Sequence, residues 1–301
     1  MEKLKYSLII LLGACSYGIL SMIVKLAYSE GFTASEVVGS QYFLGWFMIL
    51  ILFLFTNKKM EKGKSLLLLG LIGMMSTLTG KFYGESLEEI PASIAVVLLF
   101  QFSWLGILLD AFVNRRKPTR EEVISIFVLM IGTFMAGAIF EETSFQWTWR
   151  GVFFGLLAAV SFTFFIFFNG KVTTNLSVTA RTFITATGSV IMALVVLSPE
   201  VLWNGSISQG LWKYGILLGL FGLIIPVYCF SIGVPKVGAS LSSILGAFEL
   251  PTAILASAFV LHEHISRLQW VGIFLILIGM FIPQLANRQN HSIQNEELKK
   301  A

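Results

Sequence analysis

Charge is scarce in this sequence. Asp, Glu, Lys and Arg make up 13% of its 301 residues, about half the ~25% of a soluble domain. Cysteine is scarcer still. The 2 present, Cys15 and Cys229, lie inside apolar runs, so no disulfide framework is implied and a secreted disulfide scaffold is excluded. The 3 histidines, His262, His264 and His291, stand near or beyond the ends of apolar runs. No H-E-x-x-H occurs, which removes zincin chemistry. No G-x-x-x-x-G-K-[ST] occurs, which removes a phosphate-loop ATP pump. His262-Glu-His264 reads as a solvated turn, not a metal pair. No metal, no cofactor and no enzyme activity are expected, because no catalytic cluster is present. Hydrophobic residues are what abounds, at 56% before Gly is counted, against about 45–50% with Gly included in a soluble domain. A disordered chain and a soluble enzyme are excluded with that figure.

The apolar residues fall into ten runs, roughly 6–27, 35–55, 66–84, 91–112, 122–140, 151–168, 178–197, 212–233, 238–261 and 268–286. Each is long enough to cross a bilayer as a helix, the form that satisfies its own backbone in lipid. Alternation of period two is absent, which argues against a membrane barrel. The expected fold is therefore all-α, a polytopic membrane protein of ten transmembrane helices. Met1–Lys5 before an apolar run looks like a signal peptide, and Leu12-Gly-Ala-Cys15 like a lipoprotein cleavage box. The run continues to Ala27, however, and reads as a first span. With a cytoplasmic N-terminus, 15 Lys and Arg fall in inner segments and only Arg150, Lys213 and Arg267 in outer ones. That bias puts both termini in the cytoplasm of a cell membrane. The basic clusters are topology signals, not a nucleic-acid footprint.

The second half overlays the first without gaps at an offset of 147 residues. Over residues 92–134 the overlay gives 12 identities in 43 positions, where so biased a composition yields about five by chance. They include Ala92/Ala239, Ser93/Ser240, Ile107/Ile254 and Gly132/Gly279. Five spans per half is an odd number, so the two halves enter the membrane in opposite directions. Inverted repeats of this kind recur in secondary transporters. The expected division is a first five-helix repeat at 1–140, a second at 141–286 and a polar cytoplasmic tail at 287–301.

Four motifs carry a family resemblance. Pro91-Ala-Ser93 and Gly238-Ala-Ser240 open the fourth span of each half. Glu249-Leu-Pro251 lies inside the ninth, Leu261-His-Glu-His-Ile265 precedes the tenth, and Gly272 and Gly279-Met280 close the chain of spans. On these the chain resembles the drug/metabolite transporter superfamily, and within it the EamA-type proteins of two five-helix repeats. The first half departs from the pattern: Phe102 and Trp104 stand where Glu249 and Pro251 do, and Arg116 replaces the turn glutamate Glu263. The resemblance implies a bacterial cytoplasmic-membrane carrier of small metabolites, often an exporter.

A charge near the bilayer centre is costly and is a functional candidate by default. Glu249 is the first such candidate, at the midpoint of its run, for proton coupling or for pairing a cationic substrate. Pro251 lacks an N–H and is expected to kink the helix there. Lys81, among small and aromatic neighbours in Thr79-Gly-Lys-Phe-Tyr83, is the second. Lys25 lies further out, where it can snorkel towards Glu85, Glu88 or Glu89. Gln101 and Trp104, the inverted counterparts of the Glu249 region, join Tyr17, Tyr83 and Tyr228 as lining of a mainly apolar site. Arg181 and Asp110 read as interfacial anchors. The pairs Ala14/Gly18, Gly215/Gly219 and Ala253/Ser257 allow close helix packing.

The expected activity is secondary transport of a small metabolite by alternating access. Export of an amino acid or related compound comes first, because a central Glu with one or two Lys fits both ends of a zwitterion. Efflux of a hydrophobic organic cation is the alternative, favoured by the aromatics. A non-transporting membrane interaction protein would explain the spans but not the inverted repeat or the buried Glu249; a channel is the third reading, which saturable exchange between the two sides would argue against. The partners expected are the lipid bilayer and a small-molecule substrate. Nothing in the pattern bears on oligomeric state.

Overall fold

The computed structural model describes residues 2–56, 63–136, 148–172, 176–197, 201, 203–237, 245–246 and 248–282. Among them every regular element is helical. Helices α1 (Glu2–Gly18) and α2 (Leu20–Ser29) make the first span, α3 (Ala34–Leu54) the second and α4 (Lys64–Glu89) the third. Helices α5 (Ala92–Leu99) and α6 (Phe102–Val113) make the fourth, and α7 (Arg120–Ala136) the fifth. The sixth and seventh are α8 (Trp149–Lys171) and α9 (Val178–Val196). The eighth opens with a π-helical turn at Ile207–Leu211 and joins α10 (Trp212–Gly219) to α11 (Ile225–Val237) through a second at Leu220–Ile224. Helices α12 (Glu249–Val260) and α13 (Arg267–Ile282) are the ninth and tenth. Among the described residues seven spans are long and apolar enough to cross a bilayer outright, while the described lengths of α7, α12 and α13 are shorter. The Gly238-Ala-Ser240 motif, the loop lysines Lys58, Lys59 and Lys62, and the tail after Ile282 lie outside the described residues.

The repeat read from the sequence reappears in the helix starts. Thr119 and Glu122 form a capping box on α7: the Thr119 amide donates to Glu122 (2.8 Å) and the Glu122 amide to Thr119 Oγ1 (3.3 Å). Ser266 and Gln269 do the same on α13, at 2.8 and 3.1 Å. Both pairs satisfy first-turn amides that have no partner within the helix. Both lie at the 147-residue offset from one another.

Packing follows the same exchange. The first span packs on the eighth as the sixth does on the third. The second packs on the eighth as the seventh does on the third, and the first on the ninth as the sixth on the fourth. Between α7 and α13, Ser125 Oγ donates to the Gly279 carbonyl (2.6 Å), and a Cβ on Gly132 would stand 2.9 Å from the Gly272 carbonyl oxygen. Exchanging the halves turns one of these contacts into the other. Large residues such as Phe55, Phe112, Phe127, Phe153 and Phe274 point outward, as expected of a lipid-facing surface, while Ser, Thr, Gly and Ala fill the contacts between helices. The Phe162–Phe168 run divides accordingly: Phe162 and Phe165 face an internal cavity, Phe164 and Phe168 the exterior.

Helices α4 and α9 approach each other backbone to backbone. A Cβ on Gly188 would stand 2.7 Å from the Gly70 carbonyl carbon, and a Cβ on Gly73 would overlap the Thr185 carbonyl. Ser189 Oγ donates to Gly73 O (2.8 Å) and Thr77 Oγ1 to Ser189 O (2.7 Å) across the same seam. Leucine at Gly188 has nowhere to go and must separate the two backbones. Gly188→Leu is expected to lower the thermal unfolding midpoint in detergent by several degrees, overpacking of this kind costing about 1–3 kcal/mol or more. Gly106→Leu is the control: nothing lies within 4 Å of a Cβ there, and a near-neutral midpoint is expected. Equal effects of the two would show that the seam is not a close contact.

Candidate functional site

Two spans are broken at repeat-equivalent places. The fourth is interrupted between Leu99 and Phe102, and Phe102, where α6 begins, corresponds at the 147 offset to Glu249, where α12 begins. Gln101 holds the first break open. Its Nε2 donates to the Val97 carbonyl (2.8 Å) and to Thr133 Oγ1 (2.7 Å), and its Oε1 accepts from Trp104 Nε1 (2.8 Å). The Gln101 amide bonds the Leu98 carbonyl instead (3.1 Å). A side chain has thus replaced a backbone donor in the ladder. In the ninth span Pro251 falls in the first turn of α12, where its missing N–H costs least. The kink expected at Pro251 is a fresh helix start at Glu249; Ala247, whose carbonyl the proline would leave free, lies outside the described residues.

A cavity of about 1000 Å³ lies between the halves. At one end Leu87 and Val24 belong to a closed core with Ile23, Val37 and Ala92. At the other it reaches Asn169, Leu176 and Arg181, where α8 ends and α9 begins. The walls are largely apolar and aromatic, with Phe100, Phe102, Phe162, Phe165 and Phe230. Polar groups are few: Tyr17, Tyr42, Tyr83, Gln41, Asn169 and a set of hydroxyls, with Glu249 and Arg181 the charged side chains among the described lining residues. Apolar walls with sparse polar groups are the usual make-up of a small-molecule site.

Glu249, Tyr17 and Tyr83 all line this cavity, and Glu249 is within electrostatic reach of both phenols. Among the described residues the Glu249 carboxylate makes no hydrogen bond and no ion pair. Gly18 lets α1 approach it: a Cβ there would lie 2.7 Å from the Glu249 carbonyl oxygen.

The other expected residues line no part of the cavity. Lys81 Nζ donates to the Val196 carbonyl (2.7 Å). Val196 ends α9, so the ammonium caps the negative end of a helix dipole. Lys25 sits near the Glu263 and Glu88 carboxylates. Gln101 and Trp104 are spent on the α5–α6 break and on the core beside Val96, Leu250 and Ile254. Tyr228 shares a 2.6 Å hydrogen bond with Thr179 and ties α11 to α9.

Three further residues matter. Arg181, expected as an interfacial anchor, instead lines the cavity, with Nη2 donating to Asn169 O (2.7 Å) and Oδ1 (2.6 Å). Its place in the first turn of a span hid it. Gln41 lines the cavity with no hydrogen bond to its amide among the described residues. No signal in an otherwise apolar run marked it out. Glu263 accepts from the Ala92 amide (2.7 Å), the Ser93 amide (3.0 Å) and Ser93 Oγ (2.7 Å), capping α5 from the opposite half. Asp110, expected as an interfacial anchor, pairs with Arg116 at 2.6 Å, with Glu122 at 2.7 Å on the same guanidinium. Those two carboxylates, Glu122 foremost, raise the Arg116 pKa.

Among the described residues, apolar helices in two exchangeable halves around a polar-spotted cavity define a multi-pass membrane protein. The pattern of the EamA-like transporter family matches residues 4–138 and again 149–283, and the chain belongs to that family within the drug/metabolite transporter superfamily. It is 24% identical over 187 residues to the uncharacterized transporter YetK of Bacillus subtilis, covering 60% of this chain and 56% of that one. It is also 24% identical over 215 residues to an uncharacterized transporter of Archaeoglobus fulgidus, covering 71% of this chain and 75% of the other. The match thus spans little more than half of the Bacillus protein. A solved crystal structure superposes with a TM-score of 0.62 over 95% of this chain and 98% of its own, at 16% identity, which speaks to the fold alone.

Proposed function

We propose that the protein is a secondary carrier that exports an amino acid or related metabolite across the cell membrane by alternating access. The observation that carries this reading is a partnerless carboxylate, Glu249, in a cavity between two repeats, at the start of a broken helix. Broken helices at the midplane of inverted repeats are how carriers build sites that open to either side. The distribution of Lys and Arg supports a cytoplasmic position for both termini. The repeats divide near residue 140, with a polar tail from 287. The cavity then extends to the cytoplasmic ends of α8 and α9, and the core around Ile23, Val37 and Leu87 closes the outer side. Efflux of an organic cation is the second reading, favoured by Glu249 beside Tyr17 and Tyr83.

Vesicles containing the purified protein and loaded with unlabelled amino acids test the carrier reading. Saturable counterflow of a labelled amino acid above empty vesicles is expected. Flux of cationic dyes alone would favour the second reading, and no flux across a broad panel would remove the first. Flux that never saturates would make the protein a channel.

A further inference from the structure

Arg181 faces the cavity with most of its donors unused. A guanidinium carries five N–H groups. Nη2 directs its two to Asn169, one to the backbone carbonyl at 2.7 Å and one to Oδ1 at 2.6 Å. Both acceptors are neutral. Among the described residues no carboxylate stands within 4.0 Å of Arg181; the ion pairs there belong to Arg116 and Arg150. Nε and Nη1 remain without protein acceptors among those residues. An amide at residue 169 orients the guanidinium without cancelling its charge, which an aspartate would do. In the first turn of α9 the guanidinium lines the cavity with no counter-charge within 4.0 Å among the described residues, so a ligand is free to supply the anion.

We propose that Arg181, aligned by Asn169, is an anion-recognising subsite of the cavity and that the transported metabolites bear a carboxylate. The proposal rests on the carrier reading above. It deepens that reading, because a carboxylate becomes a requirement of the substrate. Arg181 is the one cationic side chain among the described residues lining the cavity, and a single guanidinium matches a single negative charge. A phosphate group, with a charge of about −1.5 to −2 at neutral pH, would draw on more than one cation. The aromatic walls accept the rest of the metabolite.

The test is counterflow in proteoliposomes with matched probes: amino acids, their carboxamides, the corresponding decarboxylated amines, and short monocarboxylates. The wild type is expected to prefer carboxylates over their amides by about tenfold or more, the range of a charge-assisted hydrogen bond. Arg181→Gln should raise the apparent KM for carboxylates by a similar factor and so narrow the ratio of carboxylate to amide flux towards one. Arg181→Lys should keep part of the preference. Asn169→Asp supplies an internal carboxylate, so it should abolish the preference while Arg181 stays in place. That variant carries the test should Arg181→Gln fail to fold. A carboxylate preference that survives both substitutions overturns the subsite. Wild-type flux of amines and amides equal to that of carboxylates overturns it while leaving a carrier standing. No wild-type flux of any probe overturns both.

Discussion

Glu249→Gln is expected to bring flux in reconstituted vesicles close to that of empty vesicles while leaving the unfolding midpoint unchanged or raised. The two outcomes separate because of where the carboxylate sits. It makes no ion pair or hydrogen bond among the described residues, so the amide deprives no protein group of a partner. It lies at the first residue of α12 inside the cavity, so whatever interacts with it comes from the cavity. Removing a charged acceptor from a bound ligand or proton costs about 1.5–3 kcal/mol, or about ten- to a hundredfold in affinity. Loss of proton coupling adds to that when flux is driven by a pH gradient. The measurement is initial counterflow and pH-driven flux side by side. Loss of pH-driven flux with residual counterflow would assign Glu249 to coupling, and loss of both to substrate contact. A Glu249→Gln protein with unchanged flux and unchanged pH dependence would sink either role.

The spans and the repeat were legible in the sequence because both are set by coarse physical needs. A membrane helix must be apolar for about 20 residues, and its loops must carry charge of the right sign. Those demands leave a signal at every position, and the 147-residue offset accumulates over 43 positions. Glu249 was legible for the same reason: a lone carboxylate amid apolar residues stands out. Lys81 stood out equally, yet its ammonium is taken up by the Val196 carbonyl at the end of α9. Which intramembrane charge finds a partner depends on a helix more than 100 residues away, and spacing along the chain carries no trace of that. Arg181 escaped for the opposite reason. Near the end of a span, an arginine facing the headgroups and one facing a cavity have the same local sequence. Gln101 was read from its position opposite Glu249 as a ligand group. Its amide instead takes the Val97 carbonyl and secures the break in the helix.

The second large effect is expected at Glu263, through stability and not through substrate. Glu263→Ala should lower the unfolding midpoint by several degrees, and Glu263→Gln by less. Helix α5 starts after Pro91, which offers no side-chain cap. Its first amides would be left without acceptors in the closed core beside Ala92 and Ile94. Glu263 reaches them from the loop after α12 and accepts from the Ala92 and Ser93 amides and from the Ser93 hydroxyl. Its negative charge also sits at the positive end of the helix dipole. Truncation strands two amides, at about 1–3 kcal/mol for each one left buried and unpaired. Glutamine keeps one acceptor oxygen and loses the charge, hence the intermediate rank. The contact joins one half of the molecule to the other, and so ties together two sequence motifs that lie 170 residues apart. The repeat-equivalent residue, Arg116, has donors only and is engaged with Asp110 and Glu122 instead. The cap is therefore one-sided, and it holds the membrane end at which the cavity is closed. Weakening it should favour opening at that end. In vesicles, Glu263→Gln is expected to make a cysteine placed at Leu87 more reactive to a membrane-impermeant thiol reagent added outside than the same cysteine with Glu263 intact, measured on a background without Cys15 and Cys229. Unchanged reactivity together with an unchanged midpoint would show that the cap neither stabilises α5 nor holds that end shut.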